Sequence, residues 1–369
     1  MTERAADAHW MRRALVQAEG GWGRVSPNPL VGAVVVRNGE VVGEGFHAEH
    51  GGPHAEVHAL AAAGERARGA TLYVTLEPCA HQGKTPPCTD AILGAGIARV
   101  VLAATDPNPW AAGGAERLRS AGVEVTAGVE EQAARDLDPG FFHQFGRSAA
   151  DRPWLLLKLA LSLDARVADA AGRSAWITSE RARSEVHRTR ASVDAVAVGI
   201  GTVLADDPLL TVRDGPEPRV PPARIVFDRA LRLPPTSRLL ASVGQAPVWV
   251  VCGADASPAR AEALRHSGAE LVPAGDLGLA LRVLKQRGVC TLLCEGGAVL
   301  SAALLDAGLV DRLHLYYAPL LLGAGARSPF DVASASVRHA ARWRHVRSEV
   351  FGPDTRITLA AEYDVHRNR

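Results

Sequence analysis

Residues 53–88 run PHAEVHALAAAGERARGATLYVTLEPCAHQGKTPPC. Three elements follow one another there. HAEVHALAAAGERA, from His54, carries apolar residues at helical spacing. ATLYVTLEP, from Ala70, is a run of strand length closed by a proline. Cys88 follows Pro86-Pro87, a pair suited to the first turn of a second helix. Outward from this core the alternation continues. Residues 3–19 read as a helix. LVGAVVVRNG and EVVGEGF read as a hairpin turned at Asn38-Gly39, the type I′ signal. ARVVLAATD and VEVTAGV read as strands, with the helical AAGGAERLRSAG between them. Strands this apolar belong to a sheet buried on both faces, so the segment predicts an α/β sandwich.

The same stretch spaces His54, Glu56, Cys79 and Cys88. A catalytic zinc takes three protein ligands and leaves a fourth position for water. One His and two Cys supply three. Zinc-bound water ionises near pH 7. Glu56, two residues after the His, can handle the water's proton without being a ligand. A lone His-x-Glu is a solvated helix pair, and two free cysteines are small core residues; the combination on three adjoining elements points to metal. His47, His50, His58 and His81 compete as ligands. The zinc-deaminase signature is H-x-E with P-C-x-x-C. Here the second cysteine comes nine positions after the first.

That longer spacing, with SPNPLVGAVVV, GEGFHAEHGGPHAEVHAL, TLYVTLEPCAHQGKTPPC and DPNP at 106–109, resembles the deaminase half of the bacterial RibD-type bifunctional riboflavin-biosynthesis deaminase/reductases. The resemblance implies a cytidine-deaminase-like α/β/α sandwich with Asn28, His47 and Lys84 lining a pyrimidine ribosyl-phosphate pocket. From the residues alone, Asn28 between two prolines could read a base edge or form a turn. Lys84, between the ligand cysteines, is a substrate contact or a solubilising charge. Asp106 and Asn108 follow a strand end and suit a turn as well as a substrate.

A polar stretch at 147–153 marks a boundary, and Pro153 blocks helix continuation. Beyond it WLLLKLALSLD, DAVAVGIGTVLA, ARIVFD, APVWVVCG, CTLLCEGG and RLHLYYAPLL read as strands, with helices at SERARSEVHRTRAS, SPARAEALRHSG and AVLSAALLDAGL. RDGPEPRVPP reads as a surface loop. No G-x-G-x-x-G is present, so a Rossmann reading is not licensed. The strand-Gly-Gly-helix junction at Glu295-Gly296-Gly297 still makes a phosphate-friendly helix start. KLALSLDARVA, GRSAWITS, VGIGTVLADDPLLTVR and CEGGAVLSAALLDAGLVDRLHLYYAPLLLG resemble the reductase half of the same family, a dihydrofolate-reductase-like α/β domain using NADPH. By that resemblance Ser174, Arg190, Leu210, Arg213 and Glu295 touch substrate. Ala160, Trp176, Thr202, Asp206, Lys158 and the turn from Gly297 touch NADPH. Each has a plainer reading: surface charge for the arginines, turn for Asp206, core for Trp176, helix-start partner for Glu295. Lys158 lies mid-strand among leucines, an odd place for a lone charge. Where the family has Gly after SLD, this chain has Ala165, which is costly if the backbone needs positive φ.

The implied architecture is a deaminase domain over 1–148 and a reductase domain over 149–369, with one zinc and NADPH as cofactors. The chain would act on a small-molecule pyrimidine ribosyl phosphate as a homo-oligomer, dimer or tetramer. Composition agrees. The chain has 369 residues, 47% hydrophobic and 22% charged, and a net charge of +1, which favours neither nucleic acid nor an anionic membrane. No secretory pattern or membrane-length apolar run is visible, and five cysteines in no scaffold pattern suit a reduced cytoplasm. Of 41 basic residues only Lys84, Lys158 and Lys285 are lysine, so a lysine here suggests a specific role. Two rival readings are a deaminase of another base with an inert second domain, and a structural zinc protein. The second requires a fourth protein ligand and has no use for Glu56.

Overall fold

A computed structural model describes residues 2–83, 86–146, 151–174, 177–333 and 340–362. Lys84 and Trp176 lie outside the described residues. The chain forms two compact units, Met1–Ala150 and Asp151–Arg369.

In the first unit α1 (Glu3–Ala18) starts at Thr2, whose hydroxyl accepts the N–H of Ala5. The hairpin β1 (Gly32–Arg37) and β2 (Glu40–Phe46) turns at Asn38 (φ 52°) and Gly39 (φ 78°), the pair of left-handed residues a type I′ turn needs. There follow α2 (Ala55–Ala63), β3 (Thr71–Leu76), α3 (Cys88–Ala95), β4 (Arg99–Ala104), α4 (Gly114–Ser120), β5 (Glu124–Ala127), α5 (Glu131–Leu137) and α6 (Pro139–Phe145). The sheet order is β2-β1-β3-β4-β5; β1 is antiparallel to both neighbours, and β3, β4 and β5 are parallel. Helices cover both faces. A Cβ on Gly32 would stand 2.0 Å from the Ala14 carbonyl of α1, and one on Gly43 would stand 2.2 Å from the Ala59 carbonyl of α2. Gly43 pairs with Val35, an odd step from Gly32, so the two glycines face opposite sides. A buried clamp ties α1 to the sheet. Asp7 accepts from Tyr73 Oη at 2.9 Å and from both terminal nitrogens of Arg99 at 2.8 and 2.9 Å.

The second unit contains β6 (Trp154–Ser162), α7 (Glu180–Ala191), β7 (Ala195–Gly199), α8 (Ile200–Asp206), β8 (Ala223–Phe227), α9 (Arg238–Ala241), β9 (Val248–Cys252), α10 (Pro258–His266), β10 (Glu270–Pro273), α11 (Leu277–Gln286), β11 (Thr291–Cys294), α12 (Ala298–Asp306), β12 (Arg312–Ala318), β13 (Trp343–Phe351) and β14 (Asp354–Ala361). Among the described residues these strands form a nine-stranded sheet in the order β10-β9-β8-β7-β11-β6-β12-β14-β13. Every pairing from β10 to β12 is parallel, and the β13–β14 hairpin closes the edge antiparallel. Along β6, Leu155, Leu157, Leu159 and Leu161 enter one core, and Trp154 and Leu156 enter the other. The unbroken apolar run in the sequence therefore marks a strand covered on both faces.

One sequence reading is corrected. DAVAVGIGTVLA is not a single strand: it is β7 followed by α8. A short apolar run has no period that separates a buried strand from a buried helix turn. The last forty residues, unassigned from sequence, supply β13 and β14. That hairpin holds the start of α7, since Asp354 accepts the Ser179 N–H at 2.7 Å and Arg356 Nη1 donates to Glu185 at 2.9 Å.

Candidate active sites

In the first unit the proposed ligands come from three element ends. His54 is the N-cap of α2, in extended conformation. Cys79 follows β3 and Pro78. Cys88 is the first residue of α3, with Pro87 as the cap. Nδ1 of His54 lies 3.2 Å from Cys88 Sγ and 3.6 Å from Cys79 Sγ. The three donor atoms lie within 4.8 Å of one another, the one such group among the described residues. Bonds of about 2.1 Å to nitrogen and 2.3 Å to sulfur put tetrahedral zinc donors roughly 3.6–3.8 Å apart. The triad is therefore already gathered near zinc spacing. The competing histidines add no fourth donor to this group, as an open catalytic site requires.

Electrostatics favour a cation there. Hydrogen bonding from Cys88, and then His54, draws the Cys79 thiol down to about 4, and the Cys88 N–H donates to its Sγ at 3.3 Å. The hydrogen bond with Cys79 and burial push Cys88 up, so a second thiolate needs a positive partner. Glu56, on the first turn of α2, is only 3% exposed, and burial pushes its carboxyl above the usual range.

A cavity of about 400 Å³ opens at His54 and Cys79 and is lined by Asn28, His47 and Glu56 among others. Asn28 Nδ2 donates to His47 Nε2 at 3.0 Å, and His47 Nδ1 lies 3.0 Å from the Pro53 carbonyl. A carbonyl can only accept, so Nδ1 carries the proton and Nε2 accepts. Burial lowers the pKa of His47, consistent with this neutral ring. The sequence reading missed part of the wall. Phe141, Gln144 and Phe145 come from α6, and Glu77 stands beside Asp106 and Asn108. Burial raises Asp106 to about 6, with the Glu77 charge adding to the effect.

In the second unit the residues gather at the C-terminal ends of the parallel strands, where open α/β sheets place ligands. Glu295, just past β11, makes a two-pronged ion pair with Arg190 of α7; its second contact, Nη2 to Oε2, is 2.9 Å. Arg190 Nη1 donates to the Thr211 carbonyl at 2.8 Å. Burial opposes the charge on Glu295, yet Arg190 and then Lys158 hold its carboxyl below the usual range. Lys158 is lowered by burial and lies 5.7 Å from the Tyr316 ring centre. His187, one turn before Arg190, accepts the Arg213 N–H on Nδ1 at 3.3 Å. Leu210 is buried with φ 56°.

The residues read as cofactor contacts lie close by. Gly296 (φ 87°) and Gly297 (φ 97°) precede α12, and a Cβ on Gly297 would stand 2.9 Å from Thr202 Oγ1. Ser174 Oγ donates to Asp206 Oδ2 at 2.8 Å. Ala160 pairs with Tyr316 between β6 and β12. Ala165 does adopt φ 57°, the left-handed conformation that its sequence position raised. Beside it, Asp164 accepts from Ser162 Oγ at 2.6 Å and from the N–H groups of Leu322 and Gly323 at 3.1 and 2.7 Å.

Comparison with known proteins assigns a family to each unit. Residues 4–104 match the cytidine and deoxycytidylate deaminase zinc-binding region, and residues 153–357 match the RibD C-terminal domain. Fold and site thus define a zinc-binding deaminase unit joined to a reductase unit. The chain is 42% identical to the riboflavin biosynthesis protein RibD of Aquifex aeolicus, over 95% of this chain and 97% of that protein. It is 44% identical to the Escherichia coli RibD, over 87% and 90% respectively. Among solved structures, Acinetobacter baumannii RibD superposes with a TM-score of 0.83 at 40% identity, covering 98% of this chain and all of that one. A Thermotoga maritima structure, titled a diaminohydroxyphosphoribosylaminopyrimidine deaminase/5-amino-6-(5-phosphoribosylamino)uracil reductase, gives 0.82 at 36%, covering 98% of this chain and 100% of that one. The chain belongs to the RibD family and is a bifunctional deaminase/reductase of riboflavin biosynthesis. Among its described residues, no helix is long and apolar enough to cross a membrane.

Proposed function

We propose that residues 1–148 hydrolytically deaminate a diaminopyrimidinone ribosylamine 5′-phosphate, and that residues 149–369 reduce the ribosyl group of the product to ribityl with NADPH. The activities named for the Thermotoga maritima protein support this pair of substrates. The observation that carries the first half is a buried Glu56 lining the same cavity as His54 and Cys79, which with Cys88 form a group gathered near zinc spacing. Those three residues would hold zinc, which when bound would lower the pKa of a water towards about 7. Glu56 takes the proton from the attacking water and returns it to the departing amine, so ammonia leaves neutral. Asn28 and His47, fixed by their mutual hydrogen bond, orient the pyrimidine, and Lys84 meets its polar substituents.

In the second half NADPH, when bound, supplies hydride. The two left-handed glycines and the start of α12 fit its pyrophosphate, because a Cβ at either would be strained and one at Gly297 would crowd Thr202. Ala160, Lys158, Thr202 and Asp206 complete that cradle, and the family resemblance adds Trp176 as an NADPH contact. Arg213 receives the substrate phosphate, which guanidinium suits as a forked donor, and Arg190, its fork held by Glu295, adds positive charge beside it. Ser174, Leu210 and Glu295 border the ribosyl group. The enzyme works in the cytoplasm as a homo-oligomer, dimer or tetramer, with no nucleic-acid or membrane partner.

Glu56→Gln tests the reading. Ammonia release should stop while NADPH oxidation on pre-deaminated substrate continues. Loss of both activities in a folded protein, or of neither, contradicts it.

A further inference from the structure

Glu77 stands two residues before the ligand Cys79 and faces the deaminase cavity, 8% exposed. Its carboxylate is occupied by backbone. Oε2 accepts the N–H of Asp106 at 3.1 Å, and Oε1 accepts the N–H of Gly113 at 3.2 Å and of Ala115 at 2.9 Å. These bonds grip both ends of the loop 106–113, which brings Asp106, Asn108 and Ala111 to the cavity wall. The loop is stiff between its ends. Asp106 Oδ1 accepts the Asn108 N–H at 2.8 Å, and the Asn108 carbonyl accepts from Ala111 and Ala112 at 2.9 and 3.0 Å. Its far end sits hard against the zinc-ligand turn, where a Cβ on Gly114 would come within 1.7 Å of the Pro78 carbonyl. A buried carboxylate answering two amide donors at the ends of one loop and a third in the helix that follows is a fixing point, and the loop it fixes forms one side of the reaction cavity.

We propose that Glu77 is a positioning residue for deamination: it bolts the loop 106–113 to the turn that carries Cys79, and so sets where Asp106 and Asn108 meet the substrate. The proposal rests on the cavity being the deaminase site. Glu56→Gln tests that reading separately, since ammonia release surviving that change removes the site whatever Glu77 does.

The test uses the full-length enzyme and two variants of graded severity. In Glu77→Gln the amide oxygen keeps Gly113 and Ala115, while the amide nitrogen faces the Asp106 N–H and loses that bond alone. In Glu77→Ala all three are lost. A displacement near 1 Å costs about 100-fold. The expected result is a fall in deaminase kcat/KM of about 100-fold for Glu77→Ala and about 10-fold for Glu77→Gln. In the milder variant KM should carry most of the loss. Zinc should stay at one per chain, and NADPH oxidation on pre-deaminated substrate should be unchanged, which reports folding in the same molecule. A structural role would not predict the last readout: in an Asp106→Ala, Asn108→Ala background, Glu77→Gln should cost nothing further, because it acts through those two side chains. Multiplying losses, wild-type kcat/KM in both variants, or zinc lost together with activity would each overturn the proposal.

Discussion

Glu295→Ala isolates the charge balance of the proposed reductase site. The side chains of Glu295 and Arg190 are each 10% exposed, and Lys158 lies half-buried near them. Removing Glu295 leaves the Arg190 guanidinium buried with the Thr211 carbonyl as its remaining acceptor. Lys158 can shed its proton; Arg190 cannot. Breaking one partner out of a buried pair costs about 3–5 kcal/mol. In a unit of this size each kcal/mol moves the midpoint by about 2–4 °C, so the second unit should melt roughly 6–20 °C lower. Scanning calorimetry, with NADPH oxidation followed in parallel, reads this directly. Glu295→Gln keeps an acceptor but no counter-charge and should fall between. Arg190→Met combined with Glu295→Leu should recover most of the stability but none of the reductase activity, since a well-packed apolar pair replaces buried ions at little cost. A change under about 0.5 kcal/mol in Glu295→Ala would refute the reasoning, because it would mean that water already solvates the pair.

Ala165→Gly should stabilise the second unit by about 1 kcal/mol or slightly less. The left-handed backbone costs alanine about 1–2 kcal/mol, and the freer unfolded glycine chain takes part of that back; a lower melting midpoint in the variant would contradict the strain. His187 should make stability pH-dependent. Burial, with Arg190 and Arg213, draws it down to about 4, so as pH falls from about 6.5 the unfolded chain takes up the proton first. Its contribution is complete above pH 6.5 and is lost towards pH 4, by no more than about 3 kcal/mol. His187→Asn should flatten urea-derived stability over that window, and an unchanged slope would count against the assignment.

Local signals carried much of this molecule. Asn38-Gly39 announces its turn because a type I′ hairpin needs two left-handed residues in a row. The grouping of His54, Cys79 and Cys88 was legible because a His and two Cys at the ends of adjoining elements can converge. What escaped depends on partners far along the chain. Glu77 looks like any acid before a proline until Asp106, Gly113 and Ala115 fold back onto it. The short α6 has little periodicity to detect, yet it supplies Phe141, Gln144 and Phe145 to the cavity wall. IGTVLAD is apolar enough to pass for strand, and only its place after β7, with Gly199 as an extended N-cap, makes it α8. Lys158 illustrates the middle case. Its oddity among leucines was visible in sequence, whereas the neighbours that account for it, Glu295, Arg190 and Tyr316, come from β11, α7 and β12.

The central claim is one chain with two separate sites, of which only the first depends on zinc. The most direct measurement supplies purified enzyme with the diaminopyrimidinone substrate, with and without NADPH, before and after zinc is stripped by a chelator. The untreated enzyme should release one ammonia per substrate without NADPH and then oxidise one NADPH when it is added. The stripped enzyme should release no ammonia, yet still oxidise NADPH when given the deaminated intermediate. Ammonia release that survives zinc removal, or NADPH oxidation on the deaminated intermediate that disappears with the metal, would contradict the account.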